Sequence, residues 1–245
     1  MRRIVASAAL AFASAAHAFE WSDNAIGWRY GTKFGEPFVA QDIKKHIASL
    51  THADGWKYGG NFLNVDVLLS HGPIRDWGAT FGFDGNRKDD AGYNSRKRML
   101  VLGPKVMLDV PGFLDVGLLV LWESNAPCST FPGGTCTPRY RYKTHPMLDF
   151  TWAIPLGASG LSFEGYLDFI ASKGNDEFGA PTKAETHFDG ALMYDIGSGL
   201  GGPKAKYKLG VGYEWWKNKY GNDYKGPAGP GAFAKTPMIR AEFHF

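Results

Sequence analysis

Cysteine, net charge and long apolar runs are all scarce in this 245-residue chain. Lysine and arginine number 27 against 24 acidic residues, and so even a balance gives no support for nucleic-acid binding. Beyond the N-terminus no segment approaches the ~20 consecutive apolar residues of a membrane-crossing helix. If the chain crosses a membrane it does so as a closed β-barrel, because only helices and barrels satisfy their own backbone hydrogen bonds in hydrocarbon. Cys128 and Cys136 are the only cysteines, and they share the stretch 124–139 with Pro127, Pro132, Gly133, Gly134 and Pro138. Two thiols with no histidine between them make an incomplete metal site. In an oxidising compartment the pair instead forms a disulfide across a short loop.

Such a compartment is implied by the N-terminus. Arg2 and Arg3 precede an apolar, alanine-rich run over residues 4–15, and Ala16, His17 and Ala18 stand before Phe19. This reads as a secretory signal peptide over residues 1–18, followed by an exported domain over residues 19–245. Without Arg2 and Arg3, 25 basic residues face 24 acidic ones.

What the chain has in abundance is alternation. Between residues 204 and 216, Lys204, Lys206, Lys208, Gly210, Gly212, Glu214 and Trp216 fall on one face. Ala205, Tyr207, Leu209, Val211, Tyr213 and Trp215 fall on the other. A period of two marks a β-strand with unlike faces. The pattern recurs over about eleven segments: 22–31, 42–52, 61–70, 76–84, 95–109, 113–123, 140–154, 161–171, 183–196, 204–217 and 237–245. Leu114, Val116, Leu118, Val120 and Trp122 oppose Asp115, Gly117, Leu119, Leu121 and Glu123, while Phe163, Leu167 and Phe169 oppose Glu164, Tyr166 and Asp168.

Connections at 110–112, 155–160 and 197–203 are short, whereas those at 85–94, 124–139, 172–182 and 218–236 are long and polar or rich in Pro and Gly. Short and long alternate, as in a transmembrane antiparallel up-and-down β-barrel with short periplasmic turns and longer external loops. Tyr140, Tyr142, Trp152, Tyr213, Trp215 and Trp122 fit the aromatic girdles of such a barrel, and the chain closes on an alternating strand ending in Phe245. A secreted β-sandwich would use the same aromatics as core, but explains neither the loop alternation nor the terminal Phe. Parity raises one conflict. Both ends on one side require an even number of strands, yet 61–70 and 76–84 come out pointing the same way, and residues 70–74 are too short to hold a strand of ~9–11 residues.

Three stretches carry a resemblance: residues 19–32, from Phe19-Glu20-Trp21 to Tyr30-Gly31-Thr32; residues 51–66, including Thr51-His52-Ala53-Asp54-Gly55-Trp56 and Asn61-Phe62-Leu63-Asn64-Val65-Asp66; and the terminal strand. They resemble the nucleoside-specific channel-forming outer-membrane protein family (Tsx / OmpK-like). The resemblance implies a Gram-negative outer-membrane channel of twelve strands for passive nucleoside transport, needing no cofactor, and in some members a receptor surface for phages or toxins. The chain departs from it at residues 70–74, where relatives carry a longer segment. Either the barrel closes with eleven strands, or residues 85–102 hide another, or this is an incomplete variant.

A nucleoside presents a flat base and hydroxyls without phosphate charge, so a selective lumen needs aromatic surfaces and polar groups that bind weakly enough to let go. Lumen-facing positions supply Arg29, Lys105, Arg141, Lys143, Lys206 and Lys208 with Asp66, Asp115, Glu123, Asp149, Glu164, Asp168, Glu214 and Glu242. Most of these charges are expected to pair across the lumen and hold its shape. Within the two family-like blocks Arg29, Tyr30, Asn61, Asn64 and Asp66 are the expected solute contacts. Parity sets Arg29 and Tyr30 on opposite faces unless the strand bends at Gly27 or Gly31. A general or differently selective porin is the alternative, followed by a barrel enzyme. His46, His52, His71, His145, His187 and His244 are scattered without a nucleophile–base grouping, so no catalytic residue is expected.

Overall fold

The computed structural model describes residues 21–35, 42–56, 59–62, 65–69, 74–88, 93–129, 134–199 and 204–245, with side chains described for 23–35, 42, 44, 94–129, 134–197 and 204–245. The signal-peptide reading lies outside these residues.

Twelve strands form one hydrogen-bonded path: β1 (Trp21–Phe34), β2 (Ile43–Trp56), β3 (Gly59–Phe62), β4 (Val65–Leu69), β5 (Ile74–Lys88), β6 (Tyr93–Leu108), β7 (Phe113–Asn125), β8 (His145–Pro155), β9 (Leu161–Ile170), β10 (Glu185–Asp195), β11 (Tyr207–Lys217) and β12 (Phe233–His244). Their order is β3-β2-β1-β12-β11-β10-β9-β8-β7-β6-β5-β4. Every neighbouring pair is antiparallel, and the N-terminal strand lies against the C-terminal one with Arg29 opposite Arg240. Two-residue strands at Cys128–Ser129 and Tyr140–Arg141 pair onto the rim.

The parity conflict resolves within this order. Twelve strands in unbroken antiparallel succession place β3 and β4, the two ends of the path, in opposite directions. The segment expected as one strand over 61–70 is therefore two short ones of opposite direction, and among the described residues the path counts twelve strands rather than about eleven. Because β3 and β4 are consecutive in sequence, the path's ends are tied covalently, although no ladder joins them among the described residues. At four and five residues they are shorter than the ~9–11 residues of a spanning strand. Among the described residues no further strand lies within 85–102: β5 continues to Lys88 and β6 starts at Tyr93, so most of the connection expected at 85–94 is strand.

Long connections gather at one end of the sheet (126–144, 171–184, 218–232) and short ones at the other (109–112, 156–160). The 109–112 turn requires glycine. Gly112 has φ +80°, and a Cβ there would meet the Ala153 carbonyl at 2.0 Å. Inside the sheet, on the β6–β8 wall, Val101, Leu119, Leu121 and Met147 pack into a small apolar cluster.

Candidate functional site

Alternation sorts the side chains in the sense opposite to a soluble protein. On β11, Tyr207, Leu209, Val211 and Tyr213 are exposed, Val211 by 62%, while Gly212 is buried and Glu214 is only 6% exposed. On β7 Leu118 and Trp122 are exposed, and Asp115 and Glu123 are buried. Ile26, Trp28, Leu102, Leu148, Phe163, Phe169, Leu192 and Ile239 extend the exposed apolar surface across the wall. In water each such side chain forgoes about 1.5–3 kcal/mol of burial, and the enclosed charges add a desolvation cost. Hydrocarbon outside and a polar interior remove both penalties.

The interior charges form a column that begins under the long loops. Lys173, in the 171–184 connection, is buried, with Nζ 2.9 Å from Glu123 Oε2 and 3.8 Å from Glu185 Oε1. Lys97 holds the other Glu123 oxygen at 3.2 Å. Burial acts to lower the Lys173 pKa, but Glu185 and Glu123 outweigh it and the net shift is upward. Glu185 also accepts from Trp216 Nε1 at 2.9 Å. Trp216 stacks on His187 with ring centroids 4.0 Å apart, and Tyr166 meets His187 edge-on at 5.0 Å. Lys219, from the 218–232 connection, stands 5.0 Å over the Trp216 ring and donates to the Gly35 carbonyl at 3.0 Å. Two of the long loops are thus fastened to the interior by buried lysines, beside the stacked rings of Trp216 and His187.

Asp189 of β10 receives Arg29 of β1 and Arg240 of β12, with Arg29 Nη1 at 3.2 Å from Oδ2. Arg240 reaches it by lying over Gly212, where a Cβ would meet Arg240 Nε at 2.5 Å. Elsewhere in the interior Lys208 pairs with Glu164 at 2.7 Å and Lys105 with Asp115 at 2.8 Å. Asp149 and Asp168 face each other in register on β8 and β9, in the row that continues to His187 and Trp216. Among the described residues most interior charge is paired within the wall, and that part of the lining is polar without a dominant sign.

Of the expected solute contacts, Arg29 points inward and is held by Asp189. Tyr30 is a correction: it stacks parallel to Trp28, which is exposed on the outer face, because successive strand residues alternate sides. Asn61 and Asp66 fall on β3 and β4, whose side chains are outside the description, and Asn64 lies outside the described residues. Cys128 and Cys136 are joined by a disulfide in the external loop. Two of the expected girdle residues are also corrected. Tyr140 and Tyr142 lie at the rim, donating to the Asn175 carbonyl and to Glu177, because the strand breaks over residues 142–144. Arg141 and Lys143 are exposed at that break rather than lining the lumen.

The fold is an antiparallel sheet with apolar side chains outward and charges inward, the arrangement of a membrane β-barrel. Among solved structures the chain is similar to the NanC porin, at 14% identity over 91% of this chain and 99% of that one, with a TM-score of 0.40. It is also similar to the β domain of the Bordetella autotransporter BrkA, at 12% identity over 91% and 98%, with a TM-score of 0.36. No family model and no curated protein matches the sequence. Neither structural likeness says what this chain carries.

The interior residues that sequence reasoning passed over are Lys173, Glu185, His187 and Trp216. One signal was present: Trp216 is the only aromatic on the charged face of its strand. Lys173 gave none, since a loop lysine reads as solvated and its partners are 50 and 12 residues away.

Proposed function

We propose that the chain is an outer-membrane channel for passive diffusion of small, uncharged polar solutes, with nucleosides as the favoured class. The observation that carries the reading is the inversion along β11, where apolar side chains face outward and Lys208 and Glu214 face in. A wall of this kind separates hydrocarbon from a wet path. The self-neutralised lining favours a solute without net charge, because a permeating ion meets strong sites of both signs and a neutral molecule meets only hydrogen-bonding groups. Arg29, Lys208, Glu164 and Glu242 keep part of their side chains accessible and offer the required donors and acceptors. The nucleoside assignment rests on the sequence blocks at 19–32 and 51–66.

Liposome swelling with purified protein tests the reading. Nucleosides entering faster than a hexose of smaller mass support it; equal entry ranked only by size makes the protein a general pore.

A further inference from the structure

Above the outward aromatics on the β1, β11 and β12 side lies a cavity of about 560 Å³. Its walls include Tyr213, Tyr224 and Phe233, and among the described residues its cations are Lys33 and Lys235 and its carboxylate is Asp42. The residues place it on the outer face. Lys235 continues the column of Ile239 and Pro237, all three exposed, and Pro237 is the register partner of exposed Tyr213.

Lys33 reaches the same side by a different route. Inward and outward residues alternate along β1 until a register shift between Gly31 and Phe34 breaks the sequence, burying Phe34 and leaving Lys33 exposed. Bulges re-aim side chains in this way. Thr236 fixes this one by donating its hydroxyl to the Lys33 carbonyl. Lys235 stands 4.3 Å over the Phe233 ring, and among the described residues neither ammonium has a carboxylate within ion-pair distance.

We infer that this cavity is a binding site for the phosphorylated headgroup of an outer-leaflet lipid. Its depth is that of a headgroup, just beyond the apolar band and at the end of the wall that carries the long loops. Two lysines converge on one concavity, supplying the paired charge that a phosphate attracts. The aromatic walls meet the glycerol or sugar and the first methylenes, as interfacial Tyr does. A lysine that merely extends to water would need no concave partner surface. The inference rests on the orientation of the wall and not on the solute, so failure of nucleoside uptake leaves it standing.

The test is native mass spectrometry of the full chain folded in detergent, with bisphosphorylated lipid A, its dephosphorylated form, or inorganic phosphate as the probe. One bisphosphorylated lipid should be retained, with retention falling at least tenfold in the Lys33→Gln, Lys235→Gln double variant and recovering with arginine at both positions. Asp42→Asn should retain more. Equal retention by the glutamine variant, or equal binding of dephosphorylated lipid, overturns the proposal. Displacement of the lipid by inorganic phosphate would instead make this a free-anion site and overturn the lipid assignment. Heat-modifiable gel mobility verifies that each variant has folded.

Discussion

Arg29 and Asp189 meet at 3.2 Å although their strands are separated by two others in the sheet. A side chain can bridge that distance only through the interior, so the pair shows that the wall curves round and that the contact crosses the space it encloses. Asp189 also holds Arg240. Replacing it with Ala leaves two guanidinium groups without their shared partner, and loss of one member of a buried ion pair costs about 3–5 kcal/mol. We expect Asp189→Ala to lower the temperature at which the compact species disappears on gels, and to shift residual conductance toward anions. Unchanged stability and unchanged ion preference would contradict the pairing.

Val211 tests the outer face. It is 62% exposed between Leu209 and Tyr213. A lysine near the middle of a lipid-facing strand costs about 2–4 kcal/mol, whereas on a soluble surface the same change is nearly neutral. Equilibrium unfolding from lipid vesicles of Val211→Lys against the parent gives the answer, and a change below about 0.5 kcal/mol would place that strand face in water.

These two residues also mark how much was legible in the chain. Alternation fixes which side each strand residue takes, so the lipid face at Leu209, Val211 and Tyr213 and the inward Glu214 follow from spacing alone. Strand direction is less local. Asn61 to Ser70 contains no Gly or Pro to mark a reversal, so only parity reveals that something turns there. Tyr30 shows the reach of the period-two rule, since Arg29 and Tyr30 cannot share a face on a regular strand. Lys33 shows its limit, because the bulge that turns it outward is set by packing against Thr236 and not by its own neighbours.

Lys173 tests the mouth. Lys173→Met removes the cation between Glu123 and Glu185, releases the 171–184 loop and should raise single-channel conductance while costing about 3–5 kcal/mol. Its pKa is raised in the folded protein, so its stabilisation is complete below the unfolded value of ~10.4 and is lost as pH rises through the higher folded value. Conductance of the parent should therefore stay constant from pH 6 to about pH 10 on account of this lysine. A mouth that opens in the Met variant no more than in the parent would show that the lysine is not the fastening.

The proposed solute path rests on the inverted wall and on the paired charges of its described lining. Planar-bilayer recording of the purified full chain, with adenosine added to the external side, tests it most directly. The account predicts discrete conductance steps that adenosine reduces reversibly and an equimolar hexose does not. A membrane that stays silent, or steps indifferent to adenosine at millimolar concentration, would contradict it.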